Sequence, residues 1–269
     1  MAYKNPFAFA RTSKLYARLY ALAFLLLFPW VGVPIFILRL IRHPTTLLSL
    51  TKMRQTFFGS AFPIAAPFLD ARFRDSKAPL LAEASGLVLD LGSGTGVNLK
   101  YFKPERITKL VLVEPNPGMH PHLIKNVKAA GFKDGQWVLL KCGAEEREKV
   151  CQLGGFKEGE LDTVVSMLAL CSIPGSREVI RSLYSYLKPG GKFIWFEHCM
   201  SHEHDTAVFQ SLLTPIWSFE FFGCELNRPT DKWIADEYEW EQIKVSSLAD
   251  QNVHAHDPIR YGWAQKVHA

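Results

Sequence analysis

Val88-Leu89-Asp90-Leu91-Gly92-Ser93-Gly94-Thr95-Gly96 is the stretch that decides the fold. Its apolar first half predicts a buried strand, and its alternating glycines predict a tight turn where backbone can approach a ligand closely. A helix is expected to follow, with free N–H groups at its start. The dinucleotide fingerprint places glycine at relative positions one, three and six, whereas here the third glycine is at five and Val97 is at six. NAD is therefore disfavoured. The phosphate-cradling pattern GxxxxGK[ST] is also missing, so the ligand of this loop need not be an anion.

Outward from the loop, short apolar runs alternate with amphipathic stretches, the pattern of a parallel sheet covered by helices. Strands are expected at 87–91, 109–114, 137–141, 161–168 and 192–198, with a closing hairpin at 243–248 and 259–267. Helices are expected at 119–130, ending on Gly131, and at 177–187, ending before Pro189-Gly190-Gly191. The fold class is thus α/β: a Rossmann-like, seven-stranded, mostly parallel sheet with helices on both faces, preceded by a membrane-anchoring helix or hairpin.

The segment from 89 to 96 resembles the cofactor loop of class I S-adenosylmethionine-dependent methyltransferases. Glu114, 24 residues after Asp90 at the end of the second strand, matches that class's ribose-binding acid, and Gly143-Ala144-Glu145 matches the adenine-side turn. Leu161-Asp162 opens the fourth strand, and 187–193, Leu-Lys-Pro-Gly-Gly-Lys-Phe, matches the turn into the fifth. Thr95-Gly-Val-Asn98, Glu114-Pro-Asn-Pro117, Leu170-Cys-Ser-Ile173, Phe196-Glu-His198, Phe222-Gly-Cys224 and Ile259-Arg-Tyr-Gly262 are similar to the methyltransferase-like 7 family. Those are membrane-anchored enzymes whose better-understood members methylate small thiols. This chain departs from the commonest pattern with Glu114 where many relatives carry aspartate and Ser93 where cysteine is frequent.

The resemblance implies S-adenosyl-L-methionine as cofactor, held by Asp90, Gly92, Ser93, Gly94, Gly96, Glu114, Pro115, Asn116, Ala144, Glu145 and Met167. Asp90 is expected to orient the loop or meet the ammonium end of the methionine moiety. Two carboxylate oxygens on Glu114 suit a pair of ribose hydroxyls at the end of a strand. His198, closing the fifth strand, is the candidate catalytic base. His198, His202 and His204 lack HExxH spacing and a cysteine pair to complete four ligands, so no metal is expected. Cys171 is expected to line the same region as a small buried hydrophobe.

The chain carries 31 Lys+Arg against 26 Asp+Glu. Eight of the basic residues and none of the acids lie in residues 1–69, so the remaining 200 carry 23 minus 26, or −3. A slightly acidic body does not track phosphates, and no nucleic-acid partner is expected. Five cysteines with no CxxC pair suggest neither a disulfide framework nor a zinc ribbon and fit a cytosolic domain.

Twenty uncharged residues separate Arg18 from Arg39, enough to cross a hydrocarbon core as a helix. No small-residue cleavage site follows, so retention rather than secretion is expected. Pro29, Gly32 and Pro34 favour a kink, and Lys/Arg are balanced on the two flanks, which gives no orientation but suits a hairpin or in-plane anchor. The expected organisation is an anchor at 1–55 and a methyltransferase domain at 56–269 with an aromatic insertion at about 200–241. Residues 57–69, with Pro63 and Pro67, are expected to be irregular and membrane-proximal or lid-forming.

The expected activity is in-line methyl transfer to a small lipophilic acceptor, foremost a thiol. It is expected at the endoplasmic reticulum or lipid droplets, with the domain facing the cytosol. Methylation of oxygen or carbon on a lipid, quinone precursor or secondary metabolite remains open, as does a tethered, non-catalytic cofactor-binding or interaction protein.

Overall fold

The computed structural model describes residues 13–268. Its strands are β1 (Gly86–Leu91), β2 (Ile107–Val113), β3 (Trp137–Leu140), β4 (Leu161–Met167), β5 (Leu187–His198), β6 (Trp240–Ser247) and β7 (Ile259–Lys266). They form one sheet in the order β3-β2-β1-β4-β5-β7-β6. The first five run parallel, and β7 is antiparallel to both β5 and β6. The predicted sheet and closing hairpin are present.

The direction of strand succession reverses between β1 and β4, and such a switch point opens a crevice at the strands' carboxyl ends. Alternation along β1 sends Val88 to one face and Leu89 and Leu91 to the other, so two apolar cores form. Leu89 and Leu91 pack with α4 (Arg147–Gly154), α5 (Ser176–Tyr186) and α7 (Thr230–Asp236) through Val150, Ile180, Leu183 and Ile234. Val88 packs with α2 (Leu50–Leu81) and α3 (His120–Ala129) through Phe73, Leu81, Leu123 and Val127.

Two expectations need correction. The glycine loop opens not into an α-helix but into a single 3₁₀ turn at Leu99–Tyr101. The N–H groups of Leu99, Tyr101 and Phe102 bond three residues back, and Pro104, lacking an N–H, disfavours helical backbone before it. Residues 57–69 are regular helix inside α2, despite Pro63, Pro67 and Pro79. Tertiary packing outweighs the lost hydrogen bonds there: Gly59, Ala61 and Ala66 are buried against neighbours. The expected boundary after residue 55 falls within this helix.

Among the described residues one helix, α1 (Lys14–Arg42), is long and apolar enough to cross a membrane, and 22% of its most apolar window is buried. It returns through Pro44–Leu48 into α2, making a helical hairpin; residues 1–12 of the expected anchor lie outside the described residues. At the crossing, a side chain on Gly32 would place its Cβ 2.7 Å from that of Ala61, so only glycine permits this approach. α6 (His204–Glu220) grips both helices. Lys14 pairs with Asp205, Arg18 lies 3.8 Å over the Phe209 ring, and Arg54 donates to the Phe219 carbonyl at 3.0 Å.

Candidate active site

A cavity of about 480 Å³ lies at the carboxyl ends of β1, β2 and β4, roofed by α2. That is within the ~300–1,000 Å³ typical of small-molecule sites. Gly92, Ser93, Gly94, Glu114, Pro115, Asn116, Ala144 and Glu145 line one end, and Met167 stands at the junction with the other. Nine of the eleven expected cofactor residues are thus brought together on one surface.

Gly92, Gly94 and Gly96 take φ of +60°, +56° and +77°. A Cβ on Gly92 would also come within 2.6 Å of the Ala169 Cβ, so the loop and the segment after β4 touch through glycine alone. Glu114, buried at the end of β2, accepts from the Gly94 N–H through Oε2 and from the Asn116 N–H through Oε1, both at 2.8 Å. Burial raises its pKa, and those two backbone bonds oppose the rise. Asn116 accepts from Gly118 N–H at 2.9 Å and donates to the Gln55 carbonyl at 3.2 Å, fastening the post-β2 turn to α2.

Asp90 and Gly96 do not line the cavity. Asp90 is buried beneath the loop, with its carbonyl accepting from Ser93 Oγ at 3.1 Å, so it supports the turn from below. Burial lifts its carboxyl to about 7, with the Glu114 charge adding to the rise and Ser93 opposing it.

The sequence reading missed a polar cluster on α2. Lys77 Nζ donates to Asp70 Oδ1 and to Asn98 Oδ1, each at 2.8 Å, while Tyr101 and Lys100 also reach the Asp70 carboxylate. Asp70 and Lys77 are 4% exposed yet lie on the cavity wall. Burial pushes the Asp70 pKa up, but Lys100, Lys77 and Tyr101 more than offset it and the net shift is down. The available signal was a seven-residue spacing, two turns on one helix face, in a segment not expected to be helical.

The opposite end of the cavity is apolar, lined by Phe58 and Phe62 of α2, Leu168 and Ile173 after β4, and Phe221 and Phe222 after α6. Leu168 and Phe222 have φ of +59° and +51°, backbone strain for side chains of that size. His198 does not reach this surface: it is 7% exposed, and its Nε2 faces Cys224 Sγ at 2.9 Å. Ser172 and Gly223, neighbours in sequence of Cys171 and Cys224, line the cavity, whereas the two cysteines and His198 do not. The expectation of no cysteine pair beside His198 is also corrected, because the ligand atoms of Cys171, His198 and Cys224 lie within 4.8 Å of one another. Contact with Cys224, then burial, holds the Cys171 thiol well above its ordinary pKa, so that thiol by itself is no nucleophile at neutral pH.

A family model described as a methyltransferase domain matches residues 66–241. The chain belongs to the class I S-adenosylmethionine-dependent methyltransferases. It is 30% identical over 186 residues to thiol S-methyltransferase TMT1A of Homo sapiens, covering 66% of this chain and 70% of that protein. With TMT1B of Rattus norvegicus, also named a thiol S-methyltransferase, it shares 29% identity over 208 residues, 72% of this chain and 82% of the other.

Among solved structures, an O-methyltransferase family protein from Burkholderia thailandensis superposes with a TM-score of 0.57 at 16% identity, covering 81% of this chain and 61% of that longer one. The [4+2]-cyclase SpnF superposes at 0.51 with 14% identity, covering 74% of this chain and 81% of the other. These likenesses show the fold alone, and a cyclase among them illustrates that substrate identity resides in the site. The methyltransferase's cavity fits the family's cofactor: the glycine loop and the strand-end carboxylate bonded to it form one wall, and the roughly 480 Å³ beside them has room for a nucleoside.

Proposed function

We propose that this methyltransferase transfers the methyl group of S-adenosylmethionine to the sulfur of a small lipophilic thiol at a membrane surface. The observation that carries the thiol reading is the apolar end of the cavity, where the residues from Leu168 to Pro174 and from Phe221 to Gly223 present no titratable side chain on the lining. An acceptor there has to ionise by itself. A thiol of pKa about 8.5 is a few per cent thiolate at neutral pH, whereas an alcohol needs a base. The thiol S-methyltransferase names of the relatives support the same reading.

When bound, S-adenosylmethionine supplies a methyl group already activated on a sulfonium. The chain's part is placement. Gly92, Ser93 and Gly94 offer backbone, Glu114 retains lone pairs for ribose hydroxyls, and Ala144 and Glu145 stand on the adenine side. Lys77, with Asp70, frames the methionine end. Phe58, Phe62 and Phe222 hold the acceptor in line and exclude water, which raises the effective concentration of the nucleophile. The bound cofactor would supply its methyl group to the thiolate sulfur held at this end, and the thiol proton would pass to solvent, because none of the lining residues there can take it. His198 is not required for this step from where it stands.

The membrane reading rests on an exposed apolar face. On α1, Leu19, Leu26, Leu27 and Trp30 are exposed, and on α6 Val208, Leu212, Ile216 and Phe219 form a stripe at helical spacing. Because α1 is docked along Ala21, Leu25 and Phe28 against Trp217 and Phe221, an in-plane attachment with the domain on the cytosolic face fits better than an isolated span. The proposed membranes are the endoplasmic reticulum and lipid droplets.

The test is a radiolabelled-cofactor assay of detergent-solubilised protein against alkyl thiols, aryl thiols, phenols and lipids. Thiol turnover supports the reading; phenol or lipid turnover with none of thiols overturns it. Protease protection in sealed microsomes tests the topology, and a domain shielded from added protease would contradict it.

A further inference from the structure

Cys171, His198 and Cys224 come from the loop after β4, the last residue of β5 and the turn after α6, three separate segments whose spacing in the chain suggests nothing. Each offers a soft donor atom, and the three atoms lie within 4.8 Å of one another. Thiols are weak hydrogen-bonding groups, so neighbouring protein gains little by collecting two of them around an imidazole. A thiophilic cation gains a great deal.

We propose that Cys171 Sγ, His198 Nε2 and Cys224 Sγ bind a zinc ion. Two thiolates and a neutral imidazole around Zn²⁺ sum to zero charge, which suits a site where Cys171 and His198 are buried and Cys224 is half-buried. Zn–S bonds of about 2.3 Å and Zn–N of about 2.0 Å at tetrahedral angles put donors about 3.5–3.8 Å apart; the three atoms lie within 4.8 Å of one another, and the His198–Cys224 pair, at 2.9 Å, opens on binding. Binding expels the two thiol protons, and water or an exogenous thiolate completes the four ligands.

Two further observations point to the same place. Trp217 Nε1, a donor that cannot accept, is aimed at Cys224 Sγ at 3.3 Å, the outer-shell hydrogen bond a metal-bound thiolate receives. Leu168 and Phe222, the non-glycine residues in left-handed backbone among those described, lie three and two residues before the two cysteines. Strain held in both cysteine loops needs something that over-determines them, and a shared metal does so. The ion would tie together the two loops that form the apolar end of the cavity, with Ser172 Oγ, 3.4 Å from Cys171 Sγ, on the cavity side. The proposal holds whichever acceptor the enzyme uses.

The experiment uses the full chain, purified in detergent under reducing conditions. Elemental analysis after dialysis against trace zinc is expected to give stoichiometric metal. Replacement by Co²⁺ is expected to give intense sulfur-to-cobalt charge-transfer absorption and the visible bands of tetrahedral cobalt. Cys171→Ser and Cys224→Ser should each lose that absorption while still binding S-adenosylmethionine by calorimetry, and Cys151→Ser should keep it. Wild-type protein that binds S-adenosylmethionine but takes up neither metal overturns the proposal. So does retention of the cobalt spectrum in both cysteine variants, or recovery of Cys171 and Cys224 as a disulfide under those conditions. The wild-type measurements decide the matter even if a cysteine variant fails to fold.

Discussion

Glu114 Oε2 accepts the Gly94 N–H at 2.8 Å, so the acid at the end of β2 holds the glycine loop at the end of β1. One side chain therefore both shapes the cofactor loop and faces the cavity. Glu114→Ala removes this bond, the one to Asn116 and any bond to the ribose. Loss of charge-assisted bonds of this kind costs on the order of 1.5–3 kcal/mol, about ten- to a hundredfold in affinity. Calorimetric titration with S-adenosylmethionine should show this, and Glu114→Asp, one methylene short of Gly94, should fall between.

Asp90 sets a pH dependence. Its carboxyl is raised from 3.8 to about 7 by burial, so the folded chain keeps a proton that the unfolded chain has released. Stability consequently falls as pH rises through that window and levels off above it. Glu114 shifts in the same direction. Thermal melts between about pH 5 and pH 8 should show the decline, and Asp90→Asn, neutral throughout, should flatten it.

The Asp70–Lys77 pair predicts an asymmetry. Asp70→Ala leaves the Lys77 ammonium buried with Asn98 as its remaining named partner, an uncompensated charge costing about 3–5 kcal/mol. Lys77→Met leaves Asp70 with Lys100 and Tyr101, and so costs less. Urea denaturation should rank the variants in that order, and equal losses would remove the pair from its assigned place.

At the hairpin crossing, Gly32→Leu forces a side chain into Ala61. The hairpin should separate and the melting temperature fall, while membrane recovery persists because the exposed face of α1 is unchanged. Full release into the soluble fraction would show that docking, not the apolar face, holds the protein to the bilayer.

His198 is buried and off the cavity lining, facing Cys224 and not an acceptor's position. His198→Ala should therefore lower turnover of alkyl and aryl thiols by the same factor. A loss confined to the alkyl thiol, which needs a base more, would restore a catalytic role to His198.

The run from Val88 to Gly96 and the acid at 114 were legible because strand periodicity, glycine spacing and strand-end placement are local properties. The same holds for the seven strands and for the apolar run of α1, whose length and composition alone make it a membrane candidate. Residues 57–69 were misread because prolines signal a break locally, whereas burial of Gly59 and Ala61 against α1 and the post-β2 turn keeps the helix whole. Asp90 was expected to orient the loop or to meet the methionine ammonium, and local sequence could not choose; it lies beneath the loop and off the cavity lining, because the turn folds back over the end of β1. Only the tertiary structure could bring Cys171 and Cys224 to His198 and Asp70 to Lys100 and Tyr101. Those meetings depend on loops closing across the sheet and on α2 packing over it, and distance along the chain carries no record of either.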